Sequence, residues 1–280
     1  MIQAEKPTTS AGIASMLADC ITLTDSVEHL AAIYRTALPF RHIVIDNMFS
    51  NALLDNLIGE IPPLEAEHWV HHDDHHTEKY GLRSALELRE TGRHLLALLH
   101  SAAFLYFLSE LTGIWQLLPD PYLQGAGYSL LPEGAKFDVH CDRNTAYETG
   151  LVRRLSLIIY LNKRWRHEYG GQFELWNSDG THCEIVIEPL FNRTVIFEIA
   201  DHNYHGVPAP ISTPDGRSRA SFQVYYHTAL PPGQNISPHT SLYAPAMYQR
   251  KKSLLHRAAK DLMPPVLLRA LKGIRLRNMY

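Results

Sequence analysis

From residue 122 onward the chain alternates short runs rich in β-branched and aromatic residues with breaks of Gly, Pro, Asn and Asp. Seven such runs follow one another, and they read YLQGAGYSLL, KFDVHCD, RRLSLIIYLN, GGQFELWN, HCEIVIEPL, RTVIFEI and RASFQVYYHT. Runs of this length and spacing predict short antiparallel strands joined by turns. The pattern restricts the second half of the chain to an antiparallel sandwich or jelly roll.

The first part of the chain has mainly helical periodicity. Residues 25–38 place apolar side chains at three- and four-residue spacing, and residues 50–61 form a second helical pattern stopped by Pro62. A long apolar helix is expected over about 91–111, and HIVID at 42–46 predicts a short strand. Helices first and strands later predict an α+β class in which the helices pack outside one β core.

Composition narrows the class of protein. At 280 residues the chain can bury a substantial core, and 45% hydrophobic and 20% charged residues are ordinary for a globular protein. No apolar run reaches the roughly 18 residues that span a bilayer, and the N-terminus lacks the features of a secretory signal. Three cysteines, none in a CxxC pair, argue against a disulfide framework or a thiolate zinc site. We therefore expect a cytoplasmic protein.

The densest group of metal-binding residue types is HHDDHH at 71–76. The segment has no regular helical or strand period, and adjacent side chains on an extended chain point to opposite faces, so they cannot all converge on one ion. We expect an exposed, solvated loop here. A mobile loop that borders a site elsewhere and a second metal site are the two functional alternatives.

A sparser pattern lies in FDVHCDRN at 137–144. His140 and Asp142 are two residues apart on a predicted strand, so both side chains project from the same face. With a third ligand they would form the two-histidine, one-carboxylate site of non-haem Fe(II) oxygenases, which leaves positions open for substrates. By itself the His-x-Asp pattern is weak, because a buried core histidine produces the same spacing.

The sequence downstream strengthens this pattern. His205 follows a predicted strand and precedes GVPAP, and Arg219 opens the strand RASFQVYY. In this order and context the chain resembles the 2-oxoglutarate/Fe(II)-dependent oxygenase superfamily, in its prolyl 4-hydroxylase-like branch. The segment RRLSLIIYLNKRWRHEYGGQFELWN is also similar to the central hairpin of that branch. The resemblance covers about 115–230 well and 40–112 more loosely.

The resemblance implies that His140, Asp142 and His205 bind Fe(II), which in turn binds 2-oxoglutarate and O2. His202 competes with His205 for the third position. We prefer His205 because only this histidine is followed by the glycine, valine and proline of the family pattern.

The resemblance also implies a binding site for 2-oxoglutarate. Arg219 would bind the distal carboxylate, since a guanidinium can donate two parallel charged hydrogen bonds to it. Arg217 is a rival, but it falls in the turn before the strand. Tyr160 and Tyr128 match cofactor-contacting tyrosines, and a buried strand tyrosine bonded to the backbone is an equally good interpretation of each.

The reaction implied is oxidative decarboxylation of 2-oxoglutarate coupled to hydroxylation of a substrate, with ascorbate as an additional cofactor. Peptidyl proline, an amino acid and another small molecule all remain open as substrates. Arg143 and Asn144 would line the substrate mouth, or else form a surface turn. Desaturation on the same iron and a jelly-roll metal-binding module without turnover are the alternative functions.

The resemblance further implies a double-stranded β-helix core over 115–232, with a helical part at 1–114 packed on it and a basic helical extension at 233–280, all in one structural domain. From residue 248 onward nine basic residues accompany one acidic residue, so this tail carries +8 and the rest of the chain −11. The tail either packs on the acidic body or makes a peripheral contact with an anionic membrane or partner. Nucleic acid is not an expected partner, because no supporting motif is present.

Overall fold

The computed structural model describes residues 21–120, 122–230 and 233–247, which form two antiparallel sheets packed face to face. The larger sheet contains β1 (His42–Asp46), β2 (Trp69–Asp73), β3 (Glu78–Leu82), β4 (Leu118–Pro119), β5 (Gly127–Leu131), β7 (Val152–Tyr160), β10 (Arg193–Glu198) and β12 (Arg219–Thr228). The smaller sheet contains β6 (Phe137–Cys141), β8 (Phe173–Trp176), β9 (Cys183–Ile187), β11 (His205–Val207) and β13 (Leu242–Tyr243). The expected antiparallel jelly-roll core is therefore confirmed.

The strand order brings distant segments together. The larger sheet runs β1-β10-β7-β12-β5-β3-β2, with β4 beside β12, and the smaller sheet runs β13-β6-β11-β8-β9. Phe173 of the smaller sheet and Phe197 of the larger sheet lie with ring centroids 5.5 Å apart, so the two inner faces meet in one apolar core.

Four helices accompany the sheets in the described residues, and they are α1 (Val27–Thr36), α2 (Asn51–Gly59), α3 (Glu90–Leu99) and α4 (Ala102–Thr112). The Tyr226 hydroxyl of β12 donates to the Leu99 carbonyl at 3.1 Å, and the rings of Phe104 and Tyr226 lie 6.4 Å apart, so α3 and α4 cover the outer face of the larger sheet. The central strands β7 and β12 are consequently buried on both faces.

The single helix expected over 91–111 is two helices that meet at an angle of 51°. The Ser101 hydroxyl accepts a hydrogen bond from the Phe104 backbone N–H at 3.2 Å, and this N-cap starts the second helix. The apolar pattern continues across the break, which is why periodicity did not reveal it. Within the described residues no single helix is long and apolar enough to cross a membrane. Only this bent pair, taken together, has the length and apolar composition of a membrane span.

The segment before residue 114 is not wholly helical, because β1, β2 and β3 all join the larger sheet. The loop expected at HHDDHH is wrong for its first three residues: His71, His72 and Asp73 lie on β2 and pair with β3, which in turn pairs with β5. Pairing with a neighbouring sheet edge thus gives this polar segment strand structure. Residues 248–280, the basic tail, lie outside the described residues.

A single amide side chain joins the start of α2 to β10. Asn192 is buried, and its Nδ2 donates to the Phe49 carbonyl at 2.7 Å and to Asn51 Oδ1 at 2.8 Å, while its Oδ1 accepts from the Phe49 N–H at 3.1 Å. Its φ of 60° is in the left-handed region, which asparagine tolerates better than most residues.

We therefore expect Asn192→Ala to lower the free energy of unfolding by about 3 kcal/mol, because it removes these hydrogen bonds and places alanine at a positive φ. Urea unfolding followed by circular dichroism measures the change. The matched control is Asn235→Ala, at an exposed position, which should alter stability by less than about 0.5 kcal/mol. Equal stabilities for the two variants would contradict the assigned role.

Candidate metal centre

Two neighbouring strands of the smaller sheet carry the predicted ligands. His140 lies on β6, Asp142 follows that strand, and His205 begins β11 directly opposite His140 in the strand register. His140 Nε2 lies 3.4 Å from Asp142 Oδ1, and His205 Nε2 lies 3.7 Å from Asp142 Oδ2. One ligand atom from each residue lies within 4.8 Å of the others. The rival His202 is exposed and lies outside this cluster.

Backbone carbonyls orient both imidazoles. His140 Nδ1 is 2.8 Å from the Asp138 carbonyl and His205 Nδ1 is 2.9 Å from the Asn203 carbonyl. Because a carbonyl only accepts, each Nδ1 carries the proton and each Nε2 lone pair is directed to the cluster. This is the arrangement of metal-ligating histidines in general.

The cluster also has the charge that a cation requires. Asp142 Oδ2 is buried and has no hydrogen-bond partner among the described residues, which is costly unless a cation binds it. Burial alone would raise the pKa of Asp142, but the nearby His140 and His205 imidazoles hold this pKa well below its usual range. Burial lowers the pKa of His205 to about 4, so this ring is neutral at neutral pH. The residues fit a divalent metal.

A glycine permits the close approach of the two ligand-bearing strands. A Cβ on Gly206 would lie 2.8 Å from Val139 Cα and 2.9 Å from the Phe137 carbonyl oxygen, both backbone atoms of β6. Any larger residue would therefore push β11 away from β6 and separate His140 from His205.

A partly open cavity lies between the sheets and is lined by the ligand cluster and by Arg219, the first residue of β12. The buried Arg219 donates from Nε to the Gly171 carbonyl at 2.7 Å, and its guanidinium lies 4.8 Å from the centroid of the Tyr160 ring. The rival Arg217 instead donates to the Lys163 carbonyl and does not line this cavity.

The two predicted tyrosines have different surroundings. Tyr160 packs beside Arg219 and its buried hydroxyl has no hydrogen-bond partner among the described residues, although the ring does not line the cavity itself. Tyr128 has the surroundings of the alternative interpretation, a buried strand tyrosine bonded to the backbone: its hydroxyl donates to the Leu57 carbonyl of α2 at 3.1 Å, and it does not line the cavity. Successive strand residues face opposite sides, and on β5 Ser129 and Leu131 line the cavity.

The two residues predicted at the substrate mouth also differ. The Asn144 amide holds the chain after β12: Nδ2 donates to the Ser237 carbonyl, Oδ1 accepts from the His239 N–H, and the residue does not line the main cavity. Arg143 stacks on the exposed ring of Tyr147, 3.8 Å from its centroid, and does not line the main cavity.

Several cavity residues were absent from the sequence-based prediction, and they are Lys79, Ser129, Ser221, Gln223 and Tyr225. The last three alternate along β12 from Arg219, so a two-residue period counted from that arginine would have found them. Gln223 Nε2 donates to the Tyr225 hydroxyl at 2.8 Å and to Ser156 Oγ at 3.0 Å. No sequence pattern marks Lys79.

Residues 71–76 do not form a second metal site among the described residues. The exposed His71 stacks on Tyr80 with ring centroids 4.1 Å apart, whereas His76 Nδ1 lies 3.0 Å from Asp138 Oδ2. These histidines therefore serve separate contacts rather than one ion.

Comparisons with known proteins agree with this geometry. Residues 123–227 match the family model described as the 2OG-Fe(II) oxygenase superfamily. Among solved structures, a Pseudomonas putida prolyl-4-hydroxylase is 20% identical, with 72% of this chain and 100% of that chain covered and a TM-score of 0.50. A Trichoplax adhaerens prolyl hydroxylase, solved with a hypoxia inducible factor oxygen degradation domain peptide fragment, is 15% identical, with 80% and 96% covered and a TM-score of 0.53. No curated protein sequence matches the chain.

Residues 123–227 are therefore similar to the 2OG-Fe(II) oxygenase superfamily, and the fold is similar to that of the two prolyl hydroxylases.

We expect Gly206→Ala to weaken Fe(II) binding by about 10- to 100-fold, the range typical of damage to the support of metal ligands, because the added methyl group forces β11 away from β6. Anaerobic calorimetry measures the affinity. Gly59→Ala is the control, since a Cβ there meets no atom within 4 Å. Unchanged affinity in a folded Gly206→Ala variant would show that the strand spacing does not set the ligand geometry.

Proposed function

We propose that this chain is an Fe(II)-dependent dioxygenase that couples oxidative decarboxylation of 2-oxoglutarate to hydroxylation of a small-molecule or peptide substrate. The observation that carries the proposal is the presence of the ligand cluster and the buried Arg219 in one cavity. A metal site alone would suit many functions, whereas a buried guanidinium beside it provides a site for a carboxylate.

The three ligands would hold iron and leave coordination positions open, as the two-histidine, one-carboxylate arrangement does generally. When bound, Fe(II) supplies the one-electron and O2 chemistry that no side chain can perform. His140 and His205 would provide neutral nitrogen ligands, and Asp142 a negative charge that requires no proton loss at neutral pH.

Arg219 would bind the distal carboxylate of 2-oxoglutarate. Its Nε is committed to the Gly171 carbonyl, which fixes the plane of the guanidinium and leaves the other N–H groups for a ligand. Tyr160 supports the guanidinium from one face. The apolar rings of Phe173 and Phe197, whose centroids lie 5.5 and 4.6 Å from that of His205, would limit water around the reacting groups.

The alternatives differ in what they require of these residues. A binding module without turnover needs the ligand cluster but has no use for Arg219, so the arginine favours an enzyme. Desaturation would use the same iron and the same arginine, and product analysis separates it from hydroxylation. A cytoplasmic location, a supporting role for ascorbate and a peripheral membrane contact through residues 248–280 are parts of the proposal that rest on the sequence alone.

We expect Asp142→Ala to abolish the visible charge-transfer band that forms when metal-free protein is titrated with Fe(II) and 2-oxoglutarate without O2, because the site loses its charged ligand. The double variant His71→Ala, His72→Ala should keep the band, since neither residue belongs to the cluster. Loss of the band in the double variant would place the metal at residues 71–76 instead. No band in folded wild-type protein would overturn the oxygenase proposal.

We expect Arg219→Met to raise the dissociation constant of 2-oxoglutarate about 100-fold, or ~2.7 kcal/mol, because the distal carboxylate would be left unpaired in a buried site. The same anaerobic band, titrated with 2-oxoglutarate at saturating Fe(II), measures the constant. Arg217→Met is the matched control and should change it by less than about threefold, since Arg217 does not line the cavity. If the two variants exchange these effects, Arg217 is the carboxylate ligand.

A further inference from the structure

The cavity contains a second cation that the proposed reaction does not use. Lys79, on β3 of the hairpin that carries residues 71–76, lines the cavity together with Arg219 and the ligand cluster. Strand register places Lys79 next to Leu131 of β5, and Leu131 lies opposite Arg219 of β12. The two cations therefore come from one row of residues across the larger sheet, with a strand between them.

The lysine side chain extends toward the metal ligands. Its Nζ lies 5.6 Å from the centroid of the Phe137 ring, and that ring stacks on His140 with a centroid distance of 3.9 Å. Burial lowers the pKa of Lys79, and the negative charge of Asp142 in the ligand cluster opposes this shift. The ammonium is thus associated with the iron-binding end of the cavity.

No acidic side chain pairs with this ammonium within the described residues, where Lys79 makes no ion pair shorter than 4.0 Å. Two other lysines show the usual arrangement: Lys163 Nζ lies 2.5 Å from Asp55 and Lys136 Nζ lies 2.6 Å from Asp138. Burial lowers the pKa of Lys79, since an ammonium removed from water is destabilised unless an anion compensates it.

With Fe(II) and 2-oxoglutarate bound, the formal charges in the cavity would sum to zero without Lys79. Asp142 is the one carboxylate among the lining residues, and Lys79 and Arg219 are the two cations. The charges of Fe(II) and Arg219 offset those of Asp142 and the two carboxylates of 2-oxoglutarate. The positive charge of Lys79 then remains for another anion, and the substrate is the reactant still to be accommodated.

We propose that Lys79 binds a carboxylate of the substrate, so that the substrate is a small carboxylic acid, such as an amino acid or hydroxy acid, rather than an internal residue of a peptide chain. This inference rests on the proposed function and selects among its substrate classes. The Lys79 ammonium would bind the substrate carboxylate near the metal ligands. Arg219 would bind the distal carboxylate of 2-oxoglutarate elsewhere in the same cavity.

The test separates the cosubstrate from the substrate. Anaerobic protein loaded with Fe(II) and 2-oxoglutarate is titrated with a panel of L-amino acids and L-2-hydroxy acids and with the corresponding amides, and binding is followed by perturbation of the charge-transfer band and by thermal shift. We expect at least one acid to bind at least tenfold more tightly than its amide. Lys79→Met should remove that preference, and Lys79→Arg, which keeps the charge, should retain most of it.

The variants also report on the cosubstrate. Lys79→Met should change the dissociation constant of 2-oxoglutarate by less than threefold, in contrast to Arg219→Met. Lys163→Met, which removes a lysine that does not line the cavity, is the matched control and should leave both the acid preference and 2-oxoglutarate binding unchanged.

Three results would overturn the inference, and a fourth would overturn the proposed function on which it rests. Amides that bind as well as acids, or a panel in which no acid binds, would exclude a carboxylate at Lys79. A loss of 2-oxoglutarate affinity in Lys79→Met as large as that in Arg219→Met would assign the lysine to the cosubstrate. A wild-type protein that forms no band with Fe(II) and 2-oxoglutarate would instead remove the proposed function itself.

Discussion

The close contact between β6 and β11 is the constraint on which the site depends. These two strands approach at Gly206 so closely that a single methyl group would meet the backbone of β6. That approach places His140 opposite His205 and turns two residues 65 positions apart in the sequence into a pair. The larger sheet and its helices then act as a support, because they fix the position of Arg219 relative to this pair.

Burial gives the site its chemical character. A carboxylate, two imidazoles and a guanidinium are buried between two largely apolar sheets. The imidazoles and the guanidinium each form a hydrogen bond to a backbone carbonyl, whereas one carboxylate oxygen has no hydrogen-bond partner among the described residues. Backbone carbonyls direct the imidazoles, and the Gly171 carbonyl directs the guanidinium. The hydrogen bonds that orient these polar groups are therefore already present without a ligand. Such preorganisation is the means by which a common fold is adapted to one reaction.

The sequence predicted the ligands more accurately than their surroundings. The spacing of His140 and Asp142, together with the residues around His205, was sufficient to predict the cluster. Metal ligands lie in short local patterns that a single sequence shows and that a resemblance to a family helps to recognise. For Tyr128 the sequence left two interpretations open, because the side of the strand that a residue faces depends on which face of the sheet the helices cover. Lys79 could not be predicted at all, since its position depends on the pairing of β3 with β5, a contact between segments about 50 residues apart.

The short strand β13 lies after the residues that match the family model and forms one edge of the smaller sheet. Leu242 and Tyr243 pair with Cys141 and His140, so β13 covers the outer side of the strand that carries the first metal ligand. A protein shortened to residue 232 would leave β6 as an open sheet edge, with unpaired N–H and C=O groups exposed to other chains. The residues that follow the core thus protect it from edge-to-edge association, and a truncation intended to remove only the basic tail should begin after residue 247.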